Sequence, residues 1–330
     1  MTKPLAALSL DLDNHWSYLK TRGDPAWEGF PSYLDRLVPP VLDLLDEAGL
    51  RISFFVVGQD AALARNGAAL RTIADRGHDV GNHSFRHEPW LGSYSPDEIR
   101  RDVADAERAI ADATGRRPVG FRGPGFSWSP ALVDVLAEAG YLYDATTLPT
   151  FLGPLGRMYY FARSGLGRAE RDRRKDLYGS LADGLRPVRP YLWLTASRRR
   201  LLEIPVTTVP LLKTPFHLSY LIYIARFSEA AAAAYLGAAV RLCRLAGTGL
   251  SFLLHPLDFL GPEDAPGLSF FPGMGVAPAR KRALFRRVVA AIALGFEIVD
   301  LGTYARSVAG SADRLMLRPA DGRRTRGEGP

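Results

Sequence analysis

Several side chains able to bind a metal or move a proton fall where apolar runs end. Leu5–Leu10 leads into Asp11-Leu12-Asp13-Asn14-His15. Two carboxylates two residues apart on a strand face the same side. His83 and His87 follow the run His78–Asn82 and are four residues apart, so one helical turn would set both imidazoles on one side. Two neutral imidazoles and a carboxylate are a common ligand set for a catalytic divalent ion, with a position left for water. Arg122 precedes Gly123-Pro124-Gly125, a tight turn that projects a guanidinium able to grip a carboxylate with two hydrogen bonds. Asp144 and His255-Pro256 close two further apolar runs. Taken singly, each has an ordinary reading: loop capping for the Asp pair, a satisfied core histidine for His255. Their recurrence at successive strand ends gives them weight together. His78, at a strand start, reads as structural, and His217 fits no pattern.

The elements that would position these groups alternate. Strand-like runs Leu5–Leu10, Ile52–Val57, His78–Asn82, Val119–Arg122, Tyr141–Asp144, Leu202–Thr207, Leu250–His255 and Phe296–Leu301 are mostly separated by helix-period stretches. Tyr33–Ala48 sets Leu34, Leu37, Val38, Val41, Leu42, Leu44 and Leu45 at helical spacing. Ser95-Pro96 and Ser129-Pro130 are cap-plus-proline helix starts, and Gly49, Gly77, Gly115, Gly140, Gly247 and Gly295 mark helix ends. Strand–helix alternation over eight units predicts an α/β fold whose parallel sheet is closed or nearly closed into a barrel, with chemistry at the carboxyl rim. The rhythm breaks at residues 146–201, read as an insertion. The segment after Val308 is Gly- and Arg-rich and reads as a disordered tail.

Length and charge narrow the class. The chain has 330 residues with 47% hydrophobic and 23% charged, an ordinary globular composition. The single cysteine, Cys243, excludes an intrachain disulfide and a Cys-rich zinc site. Arg157–Arg200 carries 12 basic and 4 acidic residues and accounts for the whole net charge of +7. Tyr159, Tyr160, Phe161, Tyr178, Tyr191 and Trp193 are interleaved with them, which suits an anionic membrane surface; no nucleic-acid module is recognisable. The N-terminus lacks a secretory pattern and no run is long enough to span a bilayer, so a cytoplasmic location is expected, with possible peripheral contact at the inner membrane face.

The ordered series Asp11-x-Asp13, His83-Ser-x-x-His87, Arg122-Gly-Pro, Asp144 and His255-Pro resembles the five motifs of the polysaccharide deacetylase family. This is the NodB-homology family, or carbohydrate esterase family four; the motifs span residues 5 to 258. Leu12 separates two aspartates that are usually adjacent, as in a spaced branch that includes peptidoglycan and lipid-linked sugar members. Leu148 stands where a tryptophan is usual, four residues after Asp144. The resemblance implies a distorted (β/α) barrel of about seven to eight strands, with one catalytic domain over residues 1–308. It implies removal of an acetyl or formyl group from an amino sugar, in a polysaccharide or on a polyprenyl phosphate. It implies that Asp13, His83 and His87 hold one divalent metal, Zn²⁺ by ligand set, with Co²⁺ or Ni²⁺ also accepted. By the same resemblance Asp11 is the general base, Arg122 positions it, His255 is the general acid, and Asp144 pairs with His255. A non-catalytic sugar- or lipid-binding barrel and an amidohydrolase of small cyclic amides are the competing readings.

Overall fold

A computed structural model describes residues 3–155, 158, 180–312 and 316–319. Half of the basic segment 157–200, residues 157 and 159–179, lies outside the described residues. The eight expected strands form: β1 Leu5–Asp11, β2 Ser53–Val56, β3 Asp79–Asn82, β4 Gly120–Phe121, β5 Tyr143–Asp144, β7 Arg200–Glu203, β8 Leu250–Leu254 and β9 Glu297–Val299. Two more were not foreseen, β6 Tyr191–Leu194 and β10 Met316–Leu317, so among the described residues the sheet has ten strands rather than seven or eight. The order is β10-β6-β7-β5-β4-β3-β2-β1-β8, with β9 also on β1; every pairing is parallel except β6 with β7. Past Val308 the helix Leu301–Ala312 continues, and Met316–Leu317 pairs with Leu192–Trp193. An open strand edge satisfies those backbone groups.

The ladder ends on β8 and β10, yet the wall is drawn together beyond β7. Ile204 N–H donates to Asp144 O (2.8 Å), Val206 N–H to Thr147 O (2.9 Å) and Thr207 N–H to Ser251 O (3.0 Å). The last contact carries the chain from β5 and β7 across to β8. It is reinforced by Ser251 N–H donating to Thr207 Oγ1 at 2.7 Å.

Helices flank the sheet where the caps predict them. Pro96–Thr114 starts in a capping box, with the Ser95 hydroxyl and the Glu98 carboxylate each satisfying the other's backbone N–H. It ends on Gly115 at φ 74°, a left-handed position glycine takes without a Cβ clash. Pro130–Glu138 is capped by Ser129, and Leu34–Glu47 buries all seven of its predicted apolar positions.

Period-two alternation on β1 separates core from site. Ala6, Leu8, Leu10 and Leu12 face out into the main core with the helices, while Ala7, Ser9 and Asp11 face inward. Inside, Ala7, Phe55, Tyr143, Leu202, Ile204, Leu301 and Tyr304 pack together as the barrel floor. The Phe55 and Tyr143 rings press on neighbouring strands: a Cβ on Gly81 would lie 2.5 Å from Phe55, and one on Gly120 2.0 Å from Tyr143. Above this floor the inner positions turn polar.

Candidate active site

Asp11 ends β1, and Leu12 N–H still bonds Phe55 O at 2.9 Å, so the strand geometry persists one residue further. Leu12 goes to the core (1% exposed), which leaves Asp11 and Asp13 on the inner side. The aspartate spacing therefore follows from the strand period. Tyr33 anchors the turn, its hydroxyl donating to Asp13 O at 2.6 Å.

His83 and His87 reach Asp13 from the end of β3. His83 Nε2 is 3.2 Å and His87 Nε2 2.8 Å from Asp13 Oδ1, and one ligand atom from each of the three residues lies within 4.8 Å of the others. The expected helical turn is absent: Ser84 (φ 62°) and His87 (φ 49°) are left-handed, and residues 83–88 form an irregular turn. Asn82 Oδ1 accepts Ser84 N–H, Ser84 Oγ accepts His87 N–H, and the Asp102 carboxylate accepts the N–H groups of Phe85 and Arg86. Those bonds hold a backbone that β-carbons otherwise disfavour.

The donors fit a divalent ion. His83 Nδ1 lies 2.7 Å from Arg122 O, and a carbonyl can only accept, so the proton sits on Nδ1 and the Nε2 lone pair faces Asp13. Burial opposes charge on Asp13, but His87 and His83 outweigh it and hold the carboxyl well below the usual range. All three residues are buried. A compact group of one carboxylate and two imidazoles, one with its tautomer set by a second-layer carbonyl, is the chemistry a divalent cation needs.

Arg122 is fully buried and holds Asp11. One of its terminal nitrogens (Nη1) donates to Asp11 Oδ1 (2.6 Å) and Ser9 Oγ (2.8 Å), its Nε donates to Ala145 O (2.9 Å), and its guanidinium stacks 4.3 Å over the Phe55 ring. The grip expected as bidentate is made through a single nitrogen.

His255, just past β8, is half-buried at the rim. Its surroundings differ from expectation. Nδ1 lies 3.2 Å from Ser219 Oγ, its backbone N–H donates to Asp258 Oδ2 at 2.8 Å, and the His217 ring is centred 5.7 Å away. His217 is buried with Nδ1 unpartnered; burial, then the charges of His255 and Arg122, hold it well below normal, so it is neutral.

Asp144 does not join His255. Tyr143 and Ala145 take the inner face of β5, so Asp144 points outward beside its register partner Glu203. There Thr146 Oγ1 donates to Asp144 Oδ1. Glu203 accepts Thr147 N–H (2.9 Å), Thr147 Oγ1 (2.6 Å) and Trp193 Nε1 (3.0 Å). Burial, then Glu203, pushes Asp144 well above the carboxylate range, and burial raises Glu203 as well. Glu203 holds the donors, while Asp144 Oδ2 has no partner among the described residues. Asp144 is thus a wall residue whose charged form burial disfavours.

Sequence reasoning also missed Asp60, Tyr18, Ser219 and Asp258. Asp60 Oδ1 accepts from Asn14 (2.7 Å), Trp16 (2.9 Å) and Asn66 (3.2 Å), and burial pushes its carboxyl up to about 7. Tyr18 packs edge-on to Phe271, and burial followed by the charges of Asp13, Tyr33 and Asp258 raises its phenol. Tyr18 is therefore near both Asp13 and Asp258. Of these, only Asp258 carried a signal, as a carboxylate three residues after His255.

A largely parallel α/β barrel with a buried Asp-His-His cluster, an Arg-held carboxylate and a rim histidine brings together the groups that metal-assisted hydrolysis would use. Residues 27–143 match the family model for polysaccharide deacetylase. A chitooligosaccharide deacetylase of Sinorhizobium fredii is 36% identical over 104 residues, 31% of this chain and 46% of that protein. A peptidoglycan-N-acetylglucosamine deacetylase of Listeria monocytogenes is 32% identical over 88 residues, 27% of this chain and 18% of its own length. The chain thus spans less than half the length of these curated relatives. A solved structure assigned as a polysaccharide deacetylase, from Mycobacterium smegmatis, superposes with a TM-score of 0.58 at 20% identity, covering 98% of this chain and 99% of that one. Over residues 27–143, then, the chain is similar to the polysaccharide deacetylase (NodB-homology) family.

Proposed function

We propose that the protein is a metal-dependent hydrolase that removes an N-acyl group from an amino sugar, with residues 1–308 as its catalytic domain. The observation that carries this is the convergence of Asp13, His83 and His87 beside an Asp11 held by a buried arginine. Asp13, His83 and His87 would hold the ion, Zn²⁺ by ligand set. A bound divalent cation supplies Lewis acidity and lowers the pKa of water from 15.7 to about 7. Asp11 takes the proton of the attacking water, and Arg122 keeps its carboxylate aimed. His255, just past β8 and next to the end of β1, gives a proton to the departing amine; Ser219 orients its ring through Nδ1, leaving Nε2 for the substrate.

Loss of either imidazole tests the reading. His83→Ala and His87→Ala should each abolish stoichiometric metal, measured by elemental analysis, together with release of acetate from N-acetylated oligosaccharides. Retention of both properties in both variants would sink it.

The finer proposal is that the saccharide is carried on a polyprenyl phosphate and met at the inner membrane face. An aromatic, acid-free stretch beside His255 supports it. Among the described residues no helix is long and apolar enough to cross a membrane. Faster turnover of a lipid-linked N-acyl sugar than of the free sugar is expected; equal turnover would remove the lipid-linked part alone.

A further inference from the structure

Between Glu203 and Glu229 the chain has no acidic residue. This stretch builds two outcrops on either side of a buried anchor. The first is a hairpin closed by the Thr208–Pro215 bridge, with Val209 N–H donating to Thr214 O at 2.9 Å. Its tip, Leu211-Leu212-Lys213, is 93% exposed at Leu211 and 65% at Leu212. Leu211 (φ 67°) and Lys213 (φ 55°) are left-handed. The Lys213 ammonium donates to Arg186 O, which ties the tip to exposed Leu185 (78%).

The second outcrop is the helix Leu218–Ala225. Leu218, Leu221 and Ile222 are buried. The outward side carries Tyr220, Tyr223 and, just past the end, Phe227, an i, i+3, i+7 stripe. Phe227 is 71% exposed, with the Arg226 guanidinium 5.5 Å over its ring. Between the outcrops, Phe216 is buried against Phe252, and His217 and Ser219 reach His255. The apolar surface thus starts at the wall of the candidate active site.

We propose that this hairpin tip and helix face seat in the headgroup region of an anionic bilayer. Solvated apolar side chains of this size in one run are not maintained by folding and mark a contact surface. Tyrosine and phenylalanine beside arginine suit the membrane interface, where rings lie at the acyl boundary and cations meet lipid phosphate. The cations Lys213 and Arg226, with no carboxylate in the stretch, match an anionic surface better than a mixed-charge protein face. Through Arg186 and Leu185 this surface adjoins the described end of the basic segment 157–200. It rests on the deacetylase reading only for its purpose, presentation of a membrane-bound saccharide, and its test does not need that reading.

The test is flotation of the full chain with phosphatidylglycerol-containing and with pure phosphatidylcholine vesicles, at low and high salt. The wild type should float with the anionic vesicles, more weakly at high salt. L211D/L212D should lower the partition coefficient about tenfold or more. Aspartate tolerates the left-handed backbone at 211, so the melting temperature should hold. Y223S/F227S, on the other outcrop, should act in the same direction and guards against a misfolded first variant. Both variants should deacetylate a soluble chitooligosaccharide like the wild type. Failure of the wild type to bind, or wild-type binding by both variants, overturns the proposal. So does a dimer that both variants split into monomers, since the occupant would then be a second copy. Flotation as expected with no turnover in any form would leave the surface standing and sink the deacetylase reading.

Discussion

Arg122 is the residue on which the site's electrostatics turn. It lies wholly inside the barrel, and its charge is balanced by Asp11. Arg122→Met would leave that carboxylate buried without a counter-charge, which costs about 3–5 kcal/mol. Urea unfolding should show the loss, and kcat should fall with it; Arg122→Lys should recover stability better than kcat, because one ammonium cannot also reach Ala145 and stack on Phe55. The second residue-scale prediction separates two carboxylates. Asp258 accepts the His255 backbone N–H, whereas Asp144 lies beside Glu203 on another strand. Asp258→Asn should lower kcat/KM, and Asp144→Asn should leave it near the wild-type value. A loss with Asp144→Asn alone would restore the pairing that the resemblance implied.

Among the elements, the start of β3 shows how a histidine serves structure. His78 Nδ1 accepts Ile52 N–H at 3.2 Å at the entry to β2. Burial, then the positive charge of Arg51, pushes His78 down to about 4 from an ordinary 6.5. Between those values the unfolded chain binds a proton that the folded chain does not, so stability is full above about pH 6.5 and falls as pH drops toward 4. His78→Asn keeps an acceptor without the titration, and its unfolding free energy should be flatter between pH 4 and 7. A variant with the wild-type slope would assign the effect elsewhere, for example to carboxylates. Lys281 plays a comparable part for the loop after His255. Its buried ammonium donates to Leu257 O (2.8 Å) and Leu260 O (2.6 Å), and burial lowers it to about 8.

For the whole molecule, the proposed ion joins the end of β1 to the end of β3, and binding only to the folded chain must stabilise it. Free Zn²⁺ at a hundredfold excess over Kd should contribute about 2.7 kcal/mol, read as an upward shift in the melting temperature that EDTA reverses. His83→Ala should show no shift. An equal shift in that variant would place the ion elsewhere. This readout is independent of turnover, so it separates loss of the ion from loss of a catalytic group.

Local chemistry made much of this legible in the amino-acid order. Ser-Pro caps and terminal glycines gave the helices, and apolar runs gave eight of the ten strands, because those signals act within a few residues. The two strands not foreseen lie where the signal is weakest: β6 sits at the end of the basic insertion, and β10 is two residues long and exists through its neighbour. The Asp-x-Asp spacing foretold two inward carboxylates, since a strand alternates faces whatever lies opposite. The approach of His83 and His87 to Asp13 was also anticipated, though the turn that delivers them is left-handed rather than helical. Tertiary structure alone decided who stands beside His255. Asp144 follows an inward tyrosine, so the pleat turns it to the outer layer, where it meets Glu203 from a strand some sixty residues on. Ser219 and His217 reach His255 from a helix start with no motif to announce it. Strand period and capping are written in near neighbours, but partners across a barrel depend on register and crossing, which only the folded chain sets.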